Sequence, residues 1–356
     1  MNNSVKRFEI IRMFFSILIA LLVSFILIFF VSEQPVEAIT TLITGPFKSK
    51  RNLANVVEAM IPLIFTGTGV CIMFSANQIN LAAEGGFHLG GLVAAVCALT
   101  LGLPAGLSPL VGLVCAAIVG ALFTAVPALM KIKTGSSEMV SSLMMNYLSL
   151  WFCTFILMHY ICDASVGSAS HKLPVTSELP TLIGGTRIHV GFIIAILVAV
   201  LGYVFLYKTK TGYELRITGE NQKFAEYSGI SIVKVILISQ LLGGAIAGLG
   251  GGVEILGPIY NRFSWTALLG YGWDAIVICT LAKKNPIKTP LAALFLAYLR
   301  VGASIMARST DVTLEIVQIT QGVIIVLAVA EQFLSKTKHK LIAREAKATL
   351  KEEEAA

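Results

Sequence analysis

Two polar clusters interrupt otherwise apolar stretches of this chain, and they hold the residues best placed to act on a solute. The first reads Asn77-Gln78-Ile79-Asn80-Leu81-Ala82-Ala83-Glu84-Gly85-Gly86-Phe87-His88. An ionisable group at membrane depth lines a cavity or a pathway. Irregular backbone is tolerated there only where it is buried in protein or lines water. Asn77, Asn80 and Glu84 are therefore pathway candidates. A plain turn is the competing reading, with Glu84 opening a helix and favoured by its dipole. Spacing alone leaves the two level. In the second cluster Gly243-Gly244, Gly248 and Gly250-Gly251-Gly252 precede Glu254, Gly257-Pro258 and Tyr260, followed by Trp265 and Tyr271-Gly272-Trp273-Asp274. Glycine lets a backbone or a ligand come close, and aromatic faces suit a flat ring. Glu254, Trp273 and Asp274 join the pathway candidates. Trp265 and Tyr271 read equally well as interfacial anchors, and Asp274 as a helix-opening charge. Glu58 and Arg300 also lie inside apolar runs, as buried charges whose partners the sequence does not name.

A third stretch, Lys208 to Ile230, is basic, polar and punctuated by glycine (KTKTGYELRITGENQKFAEYSGI). It is too polar to span lipid, since a charge at the bilayer centre costs roughly 2.5–3.5 kcal/mol on insertion scales. From charge alone it is a solvated connection between two helices. Motifs for independent catalysis are missing. There is no G-x-x-x-x-G-K-[ST] loop to hold ATP, no zincin motif and no nucleophile elbow. None of the six cysteines makes a Cys-x-x-Cys pair, and the five histidines are scattered, so neither a disulfide framework nor a zinc site is indicated.

The elements that must position these residues are membrane helices. Of 356 residues, 56% are hydrophobic and 13% charged, against about 25% charged in soluble domains. The apolar residues fall in runs near the roughly 20 needed to cross the hydrocarbon core, not in the alternation of a barrel. The expected fold is all-α and polytopic, with ten spans near 13–31, 54–74, 85–101, 108–130, 139–160, 189–207, 233–255, 268–282, 287–306 and 314–334. The first is read as a retained helix, too long for a signal core. Most Lys and Arg then fall on one side, which places both termini and the 208–232 segment in the cytoplasm. Lys48, Lys50 and Arg51 are an exception to that bias. The net charge of +7 is explained by this distribution and does not point to nucleic acid. Residues 1–335 form the membrane domain and 336–356 a charged cytoplasmic tail. Spans two to five and seven to ten correspond weakly, in the manner of repeated halves around a midplane pathway.

Together these blocks resemble the permease subunits of the branched-chain amino-acid and simple-sugar ABC importer superfamily, nearest to the nucleoside-type branch that pairs with a Bmp-like lipoprotein. Asn80 to Gly86 resembles the family's Asn-Ile-Gly-Ala-Glu-Gly-Gln element, with Ala82 and Gly86 as departures. Gly212 to Ile230 resembles its ATPase-docking loop. Tyr271 to Ile276, with Asn285-Pro286, resembles its Trp-Gly-(Trp/Phe)-Asp-x-Ile block, Lys283-Lys284 replacing small residues. Leu299 to Ala303 and Gln318 to Gly322 resemble its last two helices.

The resemblance implies a type II ABC importer in the cell membrane and a chain that is not itself an enzyme. It has no cofactor of its own, ATP and magnesium being held by a cytoplasmic partner ATPase. A second, non-identical permease completes the pathway, an extracytoplasmic substrate-binding lipoprotein delivers cargo, and the cargo is a nucleoside. ATPase coupling falls to Gly212, Arg216, Gly219, Glu220, Asn221, Ala225 and Gly229. Of these the three glycines turn the loop, Arg216 and Glu220 meet the ATPase, and a short helix forms near Gln222–Tyr227. Simple sugars are the alternative cargo. The rival class is an ion-coupled transporter using Glu58, Glu84, Glu254 and Asp274 as coupling carboxylates.

Overall fold

A computed structural model describes residues 33–312 except Ile259, with a few positions in 22–30 and 319–323. The expected spans at 13–31 and 314–334 and the tail lie largely or wholly outside the described residues. Those described fall into two compact units, 1–46 with 302–356, and 47–301. In the first, helix α1 (Pro35–Thr44) begins with proline, whose missing N–H costs nothing at a helix start. An added Cβ on Gly302 would meet the Leu42 carbonyl in this unit.

The second unit carries α2 (Lys50–Ser75), α3 (Ala83–Thr100), α4 (Leu107–Thr134), α5 (Glu138–Ile156), α6 (Gly191–Lys208), α7 (Lys210–Glu220), α8 (Gln222–Tyr227), α9 (Ile232–Ile255) and α10 (Tyr271–Leu281). Helix α11 (Thr289–Ser309) follows a 3-10 turn at Pro286–Lys288. Among the described residues, seven helical segments are long and apolar enough to cross a membrane. The expected span at 268–282 is instead α10, of 11 residues. At 1.5 Å per residue that is about 16 Å, half the hydrocarbon thickness.

Helix α9 is the hub, packing against α4, α3 and α2. It can approach them closely because its glycines face theirs. An added Cβ on Gly90 would overlap the Gly248 carbonyl, and one on Gly120 the Gly244 carbonyl. With no hydrophobic drive between helices in lipid, such close contact is what holds a bundle together. Opposite faces of the outer helices are apolar and exposed, as Met144, Leu148 and Trp151 are on α5.

The 208–230 segment is not a loop but α7 and α8 with tight joints. Thr209 caps α7, its hydroxyl oxygen accepting from Gly212 N at 3.1 Å, and Asn221 Oδ1 caps α8 by accepting from Phe224 N at 3.0 Å. The short helix expected near Gln222–Tyr227 is α8. Of the three glycines expected to turn the chain, only Gly229 does, at φ 79°. Gly212 and Gly219 lie inside α7 and serve close packing instead.

Candidate functional site: a broken helix and the half-helix it caps

Between α2 and α3 the chain breaks at 76–82, where Asn77 adopts a left-handed conformation at φ 55°. A break inside a bundle must find partners for its freed backbone groups. Asn80 Oδ1 accepts from Ala82 N at 2.8 Å, while its Nδ2 donates to Thr124 O at 3.1 Å. The remainder comes from a polar stripe on α5. Ser142 Oγ accepts from Leu81 N at 3.0 Å. Asn146 accepts from Gly85 N at 2.9 Å and donates to Leu81 O at 3.0 Å. Ser149 Oγ donates to Gly85 O at 2.9 Å. These three residues at i, i+4 and i+7 share one helical face. The sequence reading passed over them, although the spacing was visible.

Glu84 is 2% exposed and begins α3, but its carboxylate serves another helix. Oε1 accepts from Gly270 N at 2.7 Å, and Oε2 accepts from Gly272 N. A carboxylate thereby fills the N-terminus of α10, the positive end of its dipole. Gly270 takes φ 80°, and an added Cβ on Gly272 would press on Glu84 at 2.6 Å. The alternatives of turn and pathway residue thus share one glutamate: it is a structural cap, placed where a half-length helix begins.

Asp274, in the first turn of α10, pairs with Arg300 at 2.6 Å, which supplies the partner that sequence could not name for either. The Arg300 guanidinium also lies over the Tyr271 ring at 5.0 Å. Tyr271 meets Phe87 at 5.0 Å, and Phe87 stacks on Trp265 at 5.6 Å. Trp265 is 3% exposed and therefore not an interfacial anchor. His88, Phe263 and Tyr260 complete the ring cluster around it. Glu254 is buried at the end of α9, with the Tyr271 hydroxyl and the Arg300 guanidinium near its carboxylate. Glu84, Asp274 and Glu254 are thus linked through Tyr271 and Arg300, with Asn80 four residues before Glu84. Trp273 stands apart, half exposed and about 200° round the helix from Tyr271. Asn77 is exposed at the break.

At the C-terminal end of α2, α7 lies against the break itself. An added Cβ on Gly219 would overlap Ser75 O and approach Asn77 N to 3.2 Å. One on Gly212 would overlap Phe205 O. Leu215 packs with Ile72, Leu206 and Val235. Arg216, a residue expected to reach outward, is held within the chain: Nε donates to Leu206 O at 3.0 Å and the guanidinium covers the Tyr207 ring at 4.7 Å. The outward groups are Glu220, Asn221, Phe224 and Tyr227, with Ala225 buried beneath them. Phe224 and Tyr227 were not singled out from sequence; two exposed aromatics on one short polar helix are the signal that marks them.

Beyond the far ends of α6 and α9, two connecting segments are joined. Arg262 Nη1 donates to Asp163 at 2.6 Å and to Ser170 O at 2.9 Å. That hydrogen bond, helped by Ser165, holds the Asp163 carboxyl well below the usual carboxylate range.

Residues 52–329 match the family described as branched-chain amino acid transport system / permease component. The chain belongs to that family. It is 30% identical to the glucose ABC transporter permease protein of Haloferax volcanii, over 90% of this chain and 87% of that one. It is also 30% identical to the guanosine ABC transporter permease protein of Bacillus subtilis, over 80% and 83%. A nucleoside ABC transporter permease protein of Lactococcus lactis is 26% identical over 95% and 96%. This permease is a transport component of the membrane, and the geometry above is that of its bundle.

Proposed function

We propose that this permease is one of two membrane subunits of an ATP-driven importer and that its cargo is a nucleoside. The observation that carries the cargo class is the occupied N-terminus of α10. A half-helix that begins within the bundle attracts an anionic group. Here Glu84 fills that end and Arg300 neutralises Asp274. Neither a carboxylate nor a phosphate on the cargo has an open positive site, which favours an uncharged solute over an amino acid. A purine or pyrimidine ring suits the aromatic cluster of Phe87, Trp265 and Tyr271. The guanosine and nucleoside relatives support the same choice. The glucose relative favours a hexose as the second reading, since it too is uncharged.

The binding lipoprotein delivers cargo where Asp163 and Arg262 join the connecting segments. Closure of the ATPase in the cytoplasm displaces α8 through Phe224 and Tyr227. Helix α7 moves with it, and Gly219 passes the movement to Ser75 and Asn77. The break at 76–82 shifts, and with it the grip of Glu84 on Gly270 and Gly272. Asn80, Glu84, Asp274 and Glu254 set passage; Asn77 acts as the hinge, and Trp273 is the exposed member of the set.

Uptake of labelled guanosine and uridine, in cells with and without the gene and with ion gradients collapsed, tests this reading. The expected result is uptake that needs the gene and ATP and survives collapse. Loss on collapse overturns it in favour of an ion-coupled transporter, and gene-dependent uptake of glucose alone replaces the cargo.

A further inference from the structure

The buried carboxylate of Glu58 has no role in that pathway, which already includes Glu254. Helices α2 and α9 run antiparallel, with Gly69 against Gly243 and Phe65 against Gly250. Continuing that register brings Glu58 level with the end of α9, where Glu254 lies, and the Glu254 carboxylate feels the charge of Glu58. Glu58 is 8% exposed and Glu254 4%. Each has one carboxylate oxygen, Oε2, without a hydrogen-bond partner among the described residues. A buried acceptor left without a donor is costlier than a well-packed apolar group. Arg187 lies near Glu58 and Arg300 near Glu254, but no hydrogen bond among the described residues occupies either Oε2. The position is also informative: Glu254 lies about 33 Å along α9 from α8, at the end where the connecting segments meet. Tyr271 lies near Glu254, and Tyr260 near both carboxylates. Trp265 stacks the cluster behind them.

We propose that Glu58 and Glu254 form the subsite that holds two neighbouring hydroxyl groups of the cargo, with Tyr260 and Tyr271 as its walls. A buried carboxyl oxygen left without a partner needs a donor. A vicinal diol supplies two donors at short spacing, and burial strengthens both bonds. Amino acids lack this group, whereas the ribose of a nucleoside and a hexose both carry it. The inference rests on the uncharged-cargo reading above and deepens it. Glu58 becomes a specificity residue that no motif marked, about two helical turns from the N-terminus of α2.

The test uses the assembled importer in proteoliposomes, with wild-type permease and with Glu58→Gln, Glu254→Gln and the double variant. Uptake of guanosine is compared with that of 2′,3′-dideoxyguanosine, and uptake of glucose with that of 3-deoxyglucose. The substrate-binding protein is the same in every case, so its own preference cancels between variants. For the cargo that wild type carries, the diol-to-deoxy ratio is expected to fall by at least about tenfold in each single variant, through loss of the diol compound alone. An unchanged ratio overturns the inference, as does equal loss of both compounds, which marks a structural pair. Transport of neither pair by wild type overturns it as well. A ratio that falls for glucose while guanosine is never carried retains the diol subsite and removes the nucleoside reading, so the two failures are distinct.

Discussion

Glu84 shows how much one side chain can carry. It takes two backbone donors from the start of α10, and its removal leaves both unsatisfied inside the bundle. Glu84→Ala is expected to lower stability by about 1–3 kcal/mol and to abolish uptake; thermal unfolding in detergent and transport assays read the two effects. Its presence at membrane depth was legible from sequence, because a glutamate between apolar runs is conspicuous. Its target was not, since Gly270 is 186 residues away and no local pattern records that pairing. Asp163 gives a pH prediction at the same scale. Its carboxyl is depressed by Arg262 and Ser165, so its contribution is present above the unfolded value of about 3.9 and is lost as pH falls below that value toward the folded one. The difference in unfolding temperature between wild type and Asp163→Asn is expected to shrink steadily below about pH 4. A difference that stays constant with pH down to 3 shows that the pair does not titrate in this way.

At the scale of elements, α7 and α8 form one arm that packs on the end of α2 through Gly219. A side chain at Gly219 cannot fit beside Ser75 O without moving α7. Gly219→Ala is expected to leave ATP hydrolysis in the assembled importer while cutting uptake per ATP several-fold, measured together in proteoliposomes. Phe224→Ala with Tyr227→Ala is expected instead to lower the stimulation of the ATPase by cargo-loaded binding protein. The polar character of this segment was plain from its charges, and its short second helix was foreseeable at Gln222–Tyr227. That Gly212 and Gly219 pack rather than turn was hidden, because glycine spacing is equally compatible with both uses. Two left-handed residues follow the Ala282 cap of α10, Lys283 at φ 52° in the position where glycine is usual and Lys284 at φ 57° after it. Lys284→Gly is expected to stabilise the chain by about 0.5–1 kcal/mol, a rise in unfolding temperature without loss of uptake.

Viewed as a whole, the molecule keeps its coupling helices at one end of the long α9 and its buried carboxylate pair at the other. On the orientation expected from the distribution of Lys and Arg, the α7–α8 end faces the cytoplasm. With Cys162 first replaced by serine, a membrane-impermeant maleimide is therefore expected to label Tyr227→Cys only in inverted vesicles and Val166→Cys only in intact cells. Reversed labelling inverts the topology and the direction of transport with it. The number of spans was the least legible property. Hydropathy counts a short apolar helix such as α10 as a crossing, because it sees composition but not the depth at which a helix begins. The stripe Ser142, Asn146 and Ser149 has a consequence for building hybrids. Because α5 repairs the backbone of residues 80–85, the two segments form a matched set separated by 50 residues of chain in between. A chimera that grafts the 76–100 segment of a relative onto this permease without its α5 exchanges a sealed break for an open one, and only a paired graft preserves the bundle while changing what passes through it.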